Sequence, residues 1–373
     1  MKNILIVLGT RPEVIKLAPV ILELRKNPAY RVIVCNTEQQ KELSNQTLMF
    51  FGLKTDISLD VMSHDQTLDG AQNRILNELT NVFIKEKPDA VIVQGDTMTM
   101  FCAGLLGFYN KVPLFHVEAG LRSYDLSEPF PEEALRQMVS RITALNFAPT
   151  QNAYDALIKE NIKKETIHIT GNTVIDALFC LTPEQTQKAR AFLASLNVPL
   201  DDKLALITIH RRENHGRRLD DILSAVSALA RQYKDHTFFI PVHPNPNVKD
   251  KVRAALGAFA NIKLAAPVDY PVLVELMKTA KLILTDSGGI QEEAPSFGAP
   301  VLVLRYETER KEGIEAGLAK LVGADKELII KEACAVLSKP KEKSRTSCLK
   351  NPYGDGKAAA RIAVLTDNYF KKL

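Results

Sequence analysis

The stretch LILTDSGGIQEEAP, residues 282–295, is the most informative part of the chain. Its apolar start predicts a buried parallel strand, and the Ser287-Gly288-Gly289 turn that follows is typical of the start of a helix. Two glycines allow a ligand to approach the backbone closely, and the free N–H groups of a helix's first turn favour phosphate. Glu293 follows one turn later, where an acidic side chain can accept hydrogen bonds from sugar hydroxyls. The stretch alone is equally compatible with an ordinary strand–helix loop that needs glycine only for its geometry.

Length and composition limit the classes of protein that this chain can be. Its 373 residues are too many for one hydrophobic core and sufficient for two domains. A formal net charge of +4 is too small to predict a nucleic-acid partner. Five cysteines without a CxxC pair indicate reduced thiols rather than disulfides or a zinc site. Because no run approaches the roughly 18 apolar residues of a membrane span, we expect a cytoplasmic protein with no membrane partner.

Short apolar runs alternate with helix-length segments along the whole chain, which is typical of parallel α/β sheets. The alternation pauses near residues 165–203, where Thr182 and Gln185 fit a capping box at the start of a helix. The predicted strands are residues 4–8, 31–35, 90–93, 113–117 and 145–148 in the first half, and 204–209, 237–242, 281–285 and 300–304 in the second.

The pause in the alternation predicts a domain boundary near residue 170. We expect two doubly wound, Rossmann-like α/β domains that face each other across a cleft, over residues 1–170 and 171–355. A final helix over residues 356–373 can pack back on the first domain. The first strand is followed by Gly9-Thr10-Arg11-Pro12 rather than by Gly-x-Gly-x-x-Gly, so the sequence argues against NAD.

Two cationic side chains follow the first predicted strand. Thr10 and Glu13 fit a capping box with Pro12 at the first helical position, which would hold Arg11 at the mouth of the cleft. Lys16 follows about one turn later. A capping box alone is structural, but the two cations together favour an anionic ligand.

Three carboxylates follow strand ends or open a helix in the first half of the chain: Asp96, Glu118 and Glu132. Each has a structural alternative as a helix cap or an ion-pair partner. Carboxylates that cluster raise one another's pKa, and this makes a carboxyl group useful as an acid or base near neutral pH. All three at the same end of one sheet therefore favour acid–base chemistry.

His210 follows the first strand of the second predicted domain, where it could face phosphate or serve only a structural role. The sequence contains no Asp-x-Asp motif and no His/Cys/Asp cluster with metal-ligand spacing. We therefore predict neither a metal nor another cofactor. The charge of a diphosphate would be met by Arg11, Lys16, His210 and backbone amides.

Eight motifs, taken in order, resemble those of the bacterial non-hydrolysing UDP-N-acetylglucosamine 2-epimerases, and they extend over nearly the whole chain. They are GTRPE (9–13), QGDT (94–97), HVEAGLR (116–122), PEE (131–133), GNTVID (171–176), HRREN (210–214), DSGGIQEE (286–293) and NPYGDG (351–356).

The resemblance implies a glycosyltransferase-B-like fold and a homodimer that interconverts UDP-N-acetylglucosamine and UDP-N-acetylmannosamine for surface polysaccharide synthesis. In that family the C2 proton is removed as UDP leaves, giving 2-acetamidoglucal, and UDP then adds again after reprotonation on the other face. Carried over by position, the catalytic candidates are Asp96, Glu118, Glu132 and His210. The candidate ligands of the UDP-sugar are Arg11, Lys16, Ser287, Gly288, Gly289, Glu293 and Arg310.

Three departures from the family pattern concern regulation. The family's Thr-x-Gln-His stretch, part of a second site where UDP-N-acetylglucosamine acts as effector, reads Thr-Glu-Gln39-Gln40 here. Leu135 stands where Asn is usual, and Asn146 where His is usual. The candidate effector residues are Gln39, Gln40 and His243, and we expect weaker effector behaviour than is usual in the family.

Three alternatives to this function remain open at the level of sequence. A related enzyme could hydrolyse its product and release free N-acetylmannosamine and UDP. A glycosyltransferase of the same fold would use a separate acceptor. A binding protein without turnover would not need the three carboxylates.

Overall fold

The computed structural model describes residues 1–62, 66–242, 246–340 and 351–372, and it divides into two compact units. The first unit comprises Met1–Cys180 and Tyr353–Leu373, and the second comprises Leu181–Pro352. Strands are numbered β1–β13 and helices α1–α15 along the chain. Three short 3-10 helices, Lys164–Thr166, Arg212–Asn214 and Ala294–Phe297, complete the described secondary structure.

The first unit is built on a seven-stranded parallel sheet in the order β3-β2-β1-β4-β5-β6-β7. Its strands are β1 (Lys2–Leu8), β2 (Tyr30–Asn36), β3 (Ile57–Ser58), β4 (Ala90–Gln94), β5 (Leu114–Val117), β6 (Leu145–Ala148) and β7 (Ile167–Ile169). Its helices are α1 (Arg11–Leu24), α2 (Lys41–Phe50), α3 (Leu68–Glu86), α4 (Met98–Tyr109), α5 (Glu132–Ser140), α6 (Gln151–Lys159), α7 (Thr173–Leu178) and α15 (Ala358–Lys371).

The second unit is built on a six-stranded parallel sheet in the order β10-β9-β8-β11-β12-β13. Its strands are β8 (Leu204–Thr208), β9 (Thr237–Pro241), β10 (Ile262–Ala265), β11 (Leu282–Thr285), β12 (Val301–Val303) and β13 (Ala319–Leu321). Its helices are α8 (Pro183–Ser195), α9 (Arg217–Gln232), α10 (Pro246–Leu256), α11 (Tyr270–Thr279), α12 (Gly288–Glu293), α13 (Lys311–Glu315) and α14 (Lys326–Leu337).

Both sheets are doubly wound, because the strand order reverses once in each. The reversal lies between β1 and β4 in the first unit and between β8 and β11 in the second. The central strands are buried: the side chains of Ile4 to Leu8 in β1 have 0% exposure. Burial of such an aliphatic side chain contributes about 1.5–3 kcal/mol, so the core fixes the sheet whose carboxyl ends present the candidate residues.

The first unit continues beyond the predicted boundary near residue 170 and ends at Cys180. Helix α7 packs against α1, and it also receives the C-terminal helix α15. The carboxylate of Asp176 accepts hydrogen bonds from the backbone N–H groups of Ala358 (3.2 Å) and Ala359 (2.8 Å) at the start of α15. Helix α15 therefore belongs to the first unit and begins at Ala358 rather than at residue 356. Within the described ranges, no helix is long and apolar enough to cross a membrane.

Candidate active site

Glu118 follows β5 in the first unit and is held by three polar side chains. Its carboxylate bonds to the ammonium group of Lys16 and to the side-chain amide of Gln94. The amide of Asn172 donates a third hydrogen bond, at 3.1 Å. Lys16, on α1, was predicted to bind UDP, and here its ammonium group pairs with the carboxylate of Glu118. Gln94 and Asn172 were not among the predicted site residues.

The backbone at Glu118 lies in the left-handed region, with φ of 64°. This conformation costs a non-glycine residue about 1–2 kcal/mol, and such costs are characteristic of functional sites. Two residues later, Gly120 has φ of 94°, and a Cβ atom there would lie 2.2 Å from the carbonyl oxygen of Ala153. The sharp turn after β5 therefore depends on glycine and holds Glu118 at the carboxyl end of the sheet.

Asp96 follows β4 and is bound by Arg136, a residue of α5 that the sequence did not single out. The guanidinium group donates to Asp96 Oδ2 from Nε (2.9 Å) and Nη2 (2.6 Å). It also donates to Glu133 at 3.1 Å. Burial acts to raise the pKa of Glu133, but hydrogen bonds from the backbone of Ser123 and from Gln137, with the nearby Arg136, hold it below its ordinary value. Glu133 is thus a fully buried anchor for Arg136.

Glu132 is the first residue of α5 and is only partly buried. Among the described residues its carboxylate has no hydrogen-bond or ion-pair partner. The adjacent glutamates therefore differ: the Glu133 carboxylate is buried and bonded to protein groups, whereas the Glu132 carboxylate is available to a ligand.

Arg11 opens α1, next to the predicted effector segment. The Gln40 side chain accepts a hydrogen bond from the backbone N–H of Arg11 at 3.1 Å, and the N–H of Gln40 donates to Gly9 at 2.7 Å. Gln39 accepts from the hydroxyl of Thr99 at 3.2 Å. This segment therefore lies against the turn that follows β1. His243 lies outside the described residues.

The other two departures from the family pattern are buried in the first unit. Leu135 on α5 is 5% exposed and belongs to the hydrophobic core. Asn146 on β6 is 0% exposed and pairs in register with His116 on β5. Neither side chain is on the surface that a ligand can reach.

In the second unit, Asp286 positions the loop after β8. Its buried carboxylate accepts from the ring Nδ1 of His210 at 2.9 Å, from the backbone N–H of Arg211 at 3.0 Å and from the amide of Asn214 at 3.0 Å. Burial raises the pKa of Asp286, but these partners, His210 first, outweigh it and hold the pKa below the usual value. The ionised carboxylate fixes the orientation of the half-exposed imidazole ring through its Nδ1.

The Ser-Gly-Gly turn follows β11, as the opening stretch predicts. A Cβ atom on Gly288 would lie 2.8 Å from the guanidinium carbon of Arg310, so glycine allows Arg310 to cover the turn. A Cβ atom on Gly289 would lie 3.4 Å from Glu293 Oε1. Helix α12 has only six residues, so its dipole is weak. The backbone N–H of Ser287 donates to the hydroxyl of Thr285 at 3.0 Å, which leaves the N–H groups of the two glycines to face a ligand.

Three arginines gather beside this turn. Arg305 and Arg310 donate to the same oxygen of Glu309, at 3.0 and 3.1 Å. Arg310 also donates to Glu292 at 2.9 Å, and Arg211 donates to the carbonyl oxygen of Asp286 at 3.1 Å. Burial lowers the pKa of Arg211, and the charge of Arg305 acts in the same direction. Each of the three cations also has a carboxylate beside it, Glu213, Glu292 or Glu309, and these ion pairs hold the guanidinium groups in place at the turn. Within the described residues, no group of His, Cys, Asp and Glu side chains could hold a metal ion.

Comparison with known proteins identifies the relatives of this chain. A family model described as UDP-N-acetylglucosamine 2-epimerase matches residues 22–366. The UDP-N-acetylglucosamine 2-epimerase of Neisseria meningitidis serogroup A is 43% identical over 366 residues, which are 96% of this chain and 98% of that protein. The crystal structure of the Neisseria meningitidis enzyme bound to UDP-GlcNAc is similar with a TM-score of 0.90 at 41% identity, covering 98% of this chain and 100% of that one. A Methanocaldococcus jannaschii structure in complex with UDP-GlcNAc and UDP has a TM-score of 0.83 at 34% identity, covering 99% and 100%.

The fold class follows from the two doubly wound sheets together with these structures. The glycosyltransferase of kitacinnamycin, 12% identical with a TM-score of 0.64 and 98% coverage of both chains, shares the fold alone. The predicted glycosyltransferase-B-like class is therefore confirmed. The chain belongs to the UDP-N-acetylglucosamine 2-epimerase family, as the motifs indicated, and it is an isomerase.

Proposed function

We propose that this enzyme interconverts UDP-N-acetylglucosamine and UDP-N-acetylmannosamine by elimination and re-addition, without releasing the free sugar. In the first step the C2–H and C1–O bonds break, a C1–C2 double bond forms, a carboxylate takes the proton and UDP leaves. In the second step C2 is protonated on the opposite face and UDP adds to C1. The product would then supply surface polysaccharide synthesis.

The observation that carries the proposal is the set of carboxylates at the strand ends of the first unit. Glu118 is paired with Lys16, Asp96 with Arg136, and Glu132 is the carboxylate open to a ligand. Differently placed carboxyl groups suit a reaction that removes a proton from one face of C2 and returns one to the other.

In this proposal the second unit binds UDP, the leaving group of the first step. Departure of UDP develops negative charge on the diphosphate, and preorganised donors stabilise such charge. His210, Arg310, the Ser287 hydroxyl and the backbone N–H of Gly288 are the proposed donors, with Glu293 accepting from a sugar hydroxyl. Solved structures of relatives contain UDP-GlcNAc, which supports a UDP-sugar as the ligand of this enzyme.

The test is incubation with UDP-N-acetylglucosamine in deuterium oxide, read by proton and phosphorus NMR. We expect UDP-N-acetylmannosamine that carries deuterium at C2, because the abstracted proton exchanges with solvent. Free N-acetylmannosamine accumulating with UDP would instead establish the hydrolysing reaction. Turnover only with an added acceptor, and hydrogen retained at C2, would establish a glycosyltransferase.

We also propose that the enzyme is a homodimer, as the family resemblance implies. Sedimentation equilibrium of the purified chain tests it, and a single species at the mass of one chain would contradict it.

A further inference from the structure

Glu13 is a buried carboxylate that the proposed reaction does not use. It lies in the first turn of α1 and is 1% exposed. Oxygen Oε2 accepts from the backbone N–H groups of Gly9 (3.0 Å) and Thr10 (2.8 Å) and from the Thr10 hydroxyl (2.8 Å). Oxygen Oε1 accepts from the hydroxyl of Thr97 at 2.6 Å. Burying a carboxylate is costly unless both oxygens are bonded, and here both are.

These bonds join two turns that are distant in sequence. Gly9 and Thr10 lead from β1 into Arg11, whereas Thr97 directly follows Asp96 and caps α4 by accepting from the N–H of Met100 at 3.1 Å. Strands β1 and β4 are neighbours at the point where the strand order reverses. The Glu13 side chain therefore connects the turn that leads to Arg11, which is proposed to bind the anionic UDP, to the turn that carries Asp96, a proposed acid or base.

The chain contains a second capping box, which shows what capping alone requires. At the start of α8, Gln185 accepts from the N–H of Thr182 at 2.9 Å and donates its own backbone N–H to the Thr182 hydroxyl at 3.2 Å. A neutral amide is sufficient there, with a single acceptor oxygen. A carboxylate at Glu13 supplies a second acceptor, and that acceptor is the one bonded to Thr97.

The charge at Glu13 has a cost that capping does not explain. Burial raises the pKa of Glu13 to about 7, although the hydrogen bonds from Thr97, Thr10 and Gly9 act to lower it. A glutamine would avoid this cost and would still cap α1. Capping of α1 therefore does not account for a carboxylate at position 13, whereas a second acceptor oxygen, bonded to Thr97, does.

We propose that Glu13 is a positioning residue that fixes the turn carrying Asp96 against the turn carrying Arg11, through its bond to Thr97. The proposal rests on the proposed function, because Asp96 is assigned to acid–base chemistry there. Small displacements of a reacting group from its productive geometry can reduce turnover by about 100-fold. Loss of the Thr97 hydroxyl should consequently lower kcat while leaving the diphosphate ligands of the second unit unchanged.

The test uses Thr97→Val, Thr97→Ser, Glu13→Gln and the double variant Glu13→Gln/Thr97→Val. Thr67→Val is the matched control, because Thr67 caps α3 by accepting from Gly70 N–H at 3.3 Å and makes no contact with Glu13. We expect Thr97→Val to lower kcat for epimerisation at least about tenfold, with KM and the Kd of UDP within about twofold. Thr97→Ser, which keeps the hydroxyl, should stay within about twofold of wild type, as should Thr67→Val.

The double variant separates positioning from general stability. Because both changes act on the one connection between residues 13 and 97, the double variant should be no slower than Thr97→Val within about twofold, whereas independent effects would multiply. If Thr97→Val matches Thr67→Val in kcat, or if Thr97→Ser is as slow as Thr97→Val, the proposal is wrong. The valine–serine comparison decides even if Glu13→Gln fails to fold. Failure of the proposed function would appear differently, as wild-type enzyme that incorporates no deuterium at C2.

Discussion

Replacement of Glu118 by glutamine should reduce both stability and turnover, for two separable reasons. The side chains of Lys16 and Glu118 are 9% and 4% exposed, so their ion pair is shielded from water. Removing one member of a buried pair typically costs 3–5 kcal/mol, because the other charge stays buried. The amide can still accept from Lys16 and Asn172, so we expect the lower end, about 3 kcal/mol.

Turnover should fall at least about 100-fold, since an amide can neither remove nor deliver the C2 proton. The double variant Lys16→Met/Glu118→Gln distinguishes this effect from the loss of stability. It contains no buried charge at this position, so it should recover at least about 1 kcal/mol relative to the sum of the single changes. Its turnover should remain lost.

The assay for stability is amide hydrogen exchange of peptides from α1 and β5 in increasing urea, which reports on the first unit alone. Turnover is measured by NMR on the folded fraction. A coupling energy below about 0.5 kcal/mol would show that Lys16 and Glu118 do not act as a pair. Near-normal turnover of Glu118→Gln would refute the acid–base assignment of Glu118.

Three further predictions concern other residues. Burial lowers the pKa of His116 to about 4, below the ordinary 6.5, so its contribution to stability is present above pH 6.5 and is lost as pH falls towards 4. Between pH 7.5 and 5 the free energy of unfolding should fall by about 2 kcal/mol for this reason. The His116→Gln variant should not show this fall when hydrogen exchange of β5 is measured at the two pH values. Arg310→Ala should weaken UDP binding by about 10- to 100-fold in calorimetry, and Gly288→Ala should do the same by displacing Arg310, whereas unchanged affinity in both would exclude them from the UDP site. UDP-N-acetylmannosamine alone should be epimerised without a lag, and Gln40→His should introduce dependence on added UDP-N-acetylglucosamine; a lag in the wild type would show that Gln40 preserves effector control.

The strands that the sequence did and did not predict differ in their place in the sheets. The nine predicted strands correspond to the interior strands β1, β2, β4, β5, β6, β8, β9, β11 and β12. The four that were missed, β3, β7, β10 and β13, are the edges of the two sheets. An interior strand of a doubly wound sheet has helices over both faces, so its sequence is a continuous apolar run. Edge strands such as Ile167–Ile169, which contains His168, need no such run.

The candidate residues could be located from the sequence because parallel sheets bind ligands at the carboxyl ends of their strands. The side chains that bond to these residues could not be predicted from the sequence. Asn172 is 54 residues from Glu118, Arg136 is 40 from Asp96, and the Asp286 carboxylate is 76 from the backbone N–H of His210. Nothing in a single sequence pairs residues at such separations. The sequence therefore indicates where the chemistry lies, and the tertiary fold decides what each group contacts.

The adjacent glutamates at the start of α5 show how far this division extends. The sequence pointed to Glu132 because its turn opens a helix, and the family motif pointed to the same residue, but neither gives a physical reason to prefer it to Glu133. The fold supplies one, because Glu133 is fully buried and its carboxylate accepts from Ser123, Tyr124, Gln137 and Arg136. A carboxylate held by four donors cannot exchange protons with a substrate without breaking that network. Glu133 instead positions Arg136, which binds Asp96. The two adjacent glutamates therefore contribute to the same site differently: Glu132 is open to a ligand, and Glu133 acts through the cation that it positions.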